Sequence, residues 1–134
     1  MSRWSSAGGA TVLVCLAAAQ GGQEALAQDR IVIKNGETIE LHSVYYVAKC
    51  RSIMVGPPEV EVLEGPQEVK LSIKEGDVLP RRFNCAKPVQ GGTLTATAKD
   101  IAEPKAAKLT YRIKYKTKDG ERQTARSYEV SLFP

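Results

Sequence analysis

A single histidine, His42, stands in a chain of 134 residues. Zinc and copper centres built on imidazole need several rings converging on one point, so one ring cannot supply such a site. No metal or cofactor is therefore expected. A Ser–His–Asp device would have to recruit Ser43, Ser52 or Ser72, and none of them sits in the Gly-x-Ser-x-Gly elbow that presents a nucleophile. Glu59, Glu61, Glu64 and Glu68 are numerous enough for an acid–base pair, but Glu59 and Glu61 alternate with Val60 and Val62. That pattern makes them the solvent face of a strand. Gly91-Gly92 precedes a strand, not a helix, and so does not cradle phosphate. No catalytic residue is assigned, and the chain reads as a non-enzyme.

The cysteines speak about compartment. Arg3 and the apolar run Ala7 to Ala19 precede Ala25-Leu26-Ala27, the small-x-small pattern of a signal-peptidase site. Cleavage is expected after Ala27, with Ala19 as the alternative, which gives a signal peptide over 1–27 and one domain over 28–134. The apolar run is shorter than the roughly 20 residues that span a bilayer, and no membrane span is expected. Cys15 follows Val14, where a lipid attachment site needs a small residue, so it fills the apolar core of the signal peptide. Export leaves Cys50 and Cys85 in an oxidising compartment, periplasmic or extracellular. A disulfide between them is expected, worth about 3–4 kcal/mol in the chain-entropy picture. The competing reading, two thiols doing redox or metal work, lacks a Cys-x-x-Cys spacing and a neighbouring histidine.

Two features could serve a partner. Residues 28–80 hold six Lys/Arg and nine Asp/Glu, whereas residues 81–134 hold twelve and five, so the basic charge is concentrated late. There, Lys108, Arg112, Lys114 and Lys116 share one face of a strand, with Lys118 and Arg122 near the following turn. Such a row could hold an anionic envelope polymer such as lipopolysaccharide or an acidic glycan. No aromatic residue interleaves to stack a base, and nucleic acid is not an expected partner. The plainer reading is an edge strand that uses lysines against aggregation. The second feature is the stretch Arg51 to Pro58. Ile53, Met54, Val55, Pro57 and Pro58 form either a presented loop for a protein partner, stiffened by proline, or a further core strand.

The elements that must position these residues are strands. Arg30 to Lys34 ends at the turn pair Asn35-Gly36. Thr38 to Leu41 follows, then His42 to Cys50 with Val44, Tyr46, Ala48 and Cys50 on one face. Gly56-Pro57-Pro58 breaks the chain before Glu59 to Leu63, whose Val60 and Val62 point inward. Val69, Leu71 and Ile73 face inward from Glu68 to Lys74, and Glu75-Gly76-Asp77 reads as a turn. Val78 to Val89 is irregular. Gly91-Gly92 opens a strand with Leu94, Ala96 and Ala98 inward, and 100–107 reads as a loop or one helical turn. Asp119-Gly120 marks a hairpin in which Tyr111 faces Tyr128 and Leu109 faces Val130. That register leaves one misfit, Arg126, on the apolar face. Seven to nine short strands without a helix predict a single all-β, antiparallel sandwich.

This strand spacing, with its closing hairpin, resembles a bacterial immunoglobulin-like or fibronectin-type domain across the whole mature chain. The chain departs from immunoglobulin domains proper. Its one tryptophan, Trp4, lies in the signal peptide, and Cys85 precedes the last three strands. The resemblance implies a scaffold that binds proteins or glycans through loops or a sheet edge, hence an interaction module or a structural envelope component. It names neither partner nor oligomeric state.

Overall fold

Alternating apolar and polar residues build nine strands in the computed structural model, which describes residues 29–134. The expected signal peptide, with Trp4 and Cys15, lies outside the described residues. The strands are β1 (Asp29–Lys34), β2 (Thr38–Val44), β3 (Val47–Ala48), β4 (Arg51–Ser52), β5 (Glu59–Glu64), β6 (Val69–Val78), β7 (Val89–Ala98), β8 (Lys105–Thr117) and β9 (Gly120–Phe133). One 3-10 turn, Arg81–Phe83, interrupts the β6–β7 connection. The strands form a four-stranded sheet in the order β1-β9-β8-β5, a three-stranded sheet β2-β7-β6 and the small hairpin β3-β4. The protein is an all-β sandwich. It is not wholly antiparallel, because β1 runs parallel to β9, from Asp29 beside Tyr128 to Lys34 beside Phe133.

Inner faces supply the core. Ile33 on β1, Leu94, Ala96 and Ala98 on β7, Leu109 and Tyr111 on β8 and Val130 and Leu132 on β9 are all fully buried. Their spacing of two is the strand period, so each element turns one face inward and leaves the other to Thr, Lys and Glu. The small residues Ala96 and Ala98 belong to the same buried cluster as Ile33 and Leu132.

Where the structure departs from the local signals, pairing has overridden composition. Glu75-Gly76-Asp77 is not a turn: β6 runs through it, Gly76 opposite Gly91 and Val78 opposite Val89. Gly91 and Gly92 lie inside β7 and not at its start. A Cβ on Gly91 would collide with the Val44 carbonyl, and one on Gly92 would approach the Lys74 carbonyl to 2.8 Å, so the absent side chains admit both neighbours. The stretch His42 to Cys50 is not one strand. It ends at Val44, and Lys49-Cys50 forms the two-residue turn of β3-β4, both at positive φ (52° and 61°). Val62 shares the inner face with its partner Tyr111, as expected, yet stays 43% exposed on edge strand β5, just before a bulge between Val62 and Glu64. The segment read as a loop over 100–107 becomes strand from Lys105 onward.

The last hairpin is shifted by two residues from the expected register. Thr117 pairs with Gly120, Tyr111 faces Arg126 and Leu109 faces Tyr128. The turn residues are Lys118-Asp119. The Thr117 hydroxyl fixes them by donating to the Gly120 carbonyl at 2.7 Å and accepting from the Asp119 amide at 3.2 Å. A shift of two preserves the faces, so the apolar residues stay inward and Arg126 stays among them.

Candidate binding groove

At the β8–β9 turn end the two sheets do not close on each other. One side of the opening is the inner face of the large sheet: Tyr115 on β8 with Thr124, Ala125 and Arg126 on β9. The other side comes from three places in the sequence. His42 and Ser43 end β2, Tyr45, Tyr46 and Val47 lead into the small hairpin, and Asp77 to Phe83 leave β6. Between them lies a groove of about 1190 Å³.

Aromatic residues concentrate here. Of the seven Tyr and Phe residues in the chain, only Phe133 lies away from the groove and its floor. Tyr46 packs on Tyr115 at 5.0 Å between ring centres, Tyr45 meets Phe83 edge-on at 6.2 Å, and Tyr111 stacks on Tyr128 at 6.0 Å. Beneath the groove, His42 is held at both ring nitrogens. Nδ1–H donates to the Ser43 carbonyl at 2.9 Å, since a carbonyl can only accept, and Nε2 accepts from the Tyr111 hydroxyl at 2.7 Å. Both bonds suit the neutral ring. Burial holds the His42 pKa below its ordinary value and the Arg126 charge adds to this, while the Ser43 bond opposes them. Burial, then the neighbouring Tyr128, raises the Tyr111 pKa well above that of a free phenol, so the hydroxyl stays protonated. These two bonds fix the orientation of the His42 ring, its Nε2 turned to the Tyr111 hydroxyl.

The groove is positively charged. Arg81, Arg82 and Arg126 line it, and Arg122 lies on the same face of β9 as Arg126. None of the four forms an ion pair among the described residues. Arg82 lies over the Phe83 ring at 5.6 Å, a cation–π placement that leaves its guanidinium donors available. Asp77 is the one carboxylate in the lining.

The Cys50–Cys85 disulfide expected from the sequence is formed. It ties the turn of β3-β4 to the connection that carries Arg81–Phe83, and so clamps two pieces of the same groove wall. Tyr45 and Phe83, which meet edge-on, come from two separate connections, β2–β3 and β6–β7.

The basic row and the proline-rich stretch fare differently. Lys108, Arg112, Lys114 and Lys116 do share the outer face of β8, and Arg112 and Lys114 pair directly with β5, so those two do not guard an edge. Glutamates flank the row on both sides. Glu61 accepts from Arg112 at 2.6 Å and lies 3.4 Å from Lys114, while Glu129 and Glu121 stand opposite Lys108 and Lys116. These bonds hold the Glu61 carboxyl below its usual range, Arg112 contributing most. The row is thus largely matched by carboxylates. The stretch Ile53 to Pro58 is a loop with one strand bridge, Met54 to Thr117. Met54 packs on the core and Pro58 is buried, whereas Val55 (58% exposed) and Pro57 reach solvent.

The sequence pattern misses the groove itself, and its one signal is Arg126 on an apolar face. Comparison with known proteins adds nothing to this geometry: no family model, no curated protein and no solved structure matches the chain.

Proposed function

We propose that this chain is an exported, non-enzymatic interaction module of the immunoglobulin-like type, and that its partner binds in the groove. The observation that carries this reading is a coincidence of three features: an open groove, clustered aromatic rings, and three lining arginines without an ion pair among the described residues. Aromatic and arginine side chains are the groups over-represented at binding hot spots. Aromatic rings bring large contact area for little loss of side-chain freedom, and arginine brings charged donors in a planar fork. The basic row on β8 is the weaker candidate because Glu61, Glu121 and Glu129 already face it.

The deciding experiment is a pull-down from the protein's own envelope extract with three baits: the unaltered protein, Arg126→Glu, and a row variant with Lys108, Arg112, Lys114 and Lys116 all changed to Gln. A partner kept by the row variant and lost by Arg126→Glu supports the groove. A partner lost only by the row variant, and washed off by salt, moves function to an anionic polymer on β8. Turnover of a substrate that disappears on a single Glu or Ser substitution would overturn the non-enzymatic reading altogether.

A further inference from the structure

β9 has a free edge beside the groove. β1 covers only the stretch from Tyr128 to Phe133. From Gly120 to Ser127, β9 pairs with β8 on one side and, among the described residues, with nothing on the other. In an antiparallel ladder alternate residues turn both backbone N–H and C=O away from the partner, so this stretch offers a row of unpaired donors and acceptors. The groove reaches that edge. Thr124, Ala125 and Arg126, three consecutive residues of this stretch, all line it.

We infer that the β9 edge from Gly120 to Ser127 is a strand-addition site for an extended, acidic segment of another protein. This rests on the groove reading and specifies the occupant. A strand laid here would continue the line of β1, complete the backbone bonds of β9 and drop every second side chain into the groove. The groove-facing side chains would meet Arg126 and the Arg81-Arg82 pair, together with the rings of Tyr45 and Phe83. Carboxylate and apolar residues fit that lining, and lysine does not. A second copy of this chain is a poor occupant. Antiparallel self-pairing of the β9 edges about Thr124 sets Arg122 against Arg126, and the chain's own acidic strand β5 already spends Glu61 on Arg112 and Lys114. The pairing of β5 with β8 shows the preferred chemistry in miniature: an alternating Glu-Val-Glu-Val strand laid against a basic one.

The test uses isotope-labelled protein recovered after export, titrated with three capped peptides of about eight residues, Val alternating with Asp, with Ser or with Lys. The Asp peptide is expected to bind about tenfold or more tightly than the Lys peptide, and to slow exchange of alternate amides between Glu121 and Ser127. Arg126→Glu should reverse the Asp-over-Lys preference. N-methylating alternate residues of the Asp peptide, on the side that faces β9, should abolish binding while leaving its charge intact. Binding that tolerates N-methylation, or shifts groove resonances without protecting β9 amides, overturns strand addition and leaves the groove reading standing. The same holds if heparin competes with no amide protection. Failure of all three peptides to bind overturns the inference, and the three-bait pull-down then decides the groove reading on its own.

Discussion

The two halves of the large sheet are built from the same strands and end differently. Where β1 lies against β9, the inner face is Leu109, Val130 and Leu132, fully buried under Ile33 and the alanines of β7. Beyond Tyr128 the same strand continues with Arg122, Thr124 and Arg126 on that face, all exposed. One half buries the inner face of both strands; in the other, β8 stays buried through Tyr111, Ile113 and Tyr115, and β9 alone lies open. The difference follows from one missing neighbour and from the polar residues that make its absence tolerable. An apolar face left uncovered there would be an aggregation site, whereas arginines over aromatic rings are not.

That contrast predicts a gradient of mutational cost. Leu109→Ala, in the closed half, should lose about 2–5 kcal/mol of stability. Thr124→Ala, on the same sheet face in the open half, should stay within about 0.5 kcal/mol, both read from urea denaturation midpoints. Equal costs would mean that the groove is closed in solution. Replacing both Cys50 and Cys85 with Ser should cost about 2–4 kcal/mol in the same assay. It should also free the groove wall, seen as faster exchange of amides between Arg81 and Cys85 than in the closed half.

The third prediction concerns pH. The His42 pKa is lowered in the fold, so between that value and the ordinary 6.5 the unfolded chain binds the extra proton. Stability from this group is therefore fully present above about pH 6.5 and falls as the pH drops below it. His42→Gln should flatten that part of the stability–pH curve. A curve unchanged by the substitution would mean that His42 titrates normally and that its bonds to Ser43 and Tyr111 are not maintained. The smallest effect is expected at Glu61→Gln, where exposed charges are screened by water. Its denaturation midpoint should barely move, and the basic row it faces should then bind heparin more strongly at low salt.

The fold was legible in the sequence wherever alternation was regular. Leu94-Thr95-Ala96-Thr97-Ala98 and Leu109 to Tyr115 reveal their inner faces residue by residue, and a cysteine count suffices for the disulfide. Legibility fails where a local signal competes with a distant partner. Glu75-Gly76-Asp77 carries turn composition, yet Gly91 and Gly92 on the facing strand let the ladder pass straight through it. Asp119-Gly120 looks like the hairpin centre, yet the Thr117 hydroxyl places the turn one residue earlier. The groove was least legible of all. Its lining comes from β2, the β2–β3 link, the β6–β7 connection and the final hairpin, and no local pattern joins segments so far apart. Arg126 alone pointed to it, as a charge where an apolar residue belonged.

The parallel pairing of β1 with β9 also sets an order of events. β1 is the first described strand to be made and β9 the last, so their contact closes nearly the longest loop that the described residues allow. Loop closure of that size is slow relative to the local hairpins β6-β7 and β8-β9, which can form from neighbouring sequence alone. β1 is therefore expected to dock late, onto a hairpin already in place. Until it does, the whole length of β9 is an open edge, so newly made chains are most vulnerable to mispairing in the interval before their own first strand arrives.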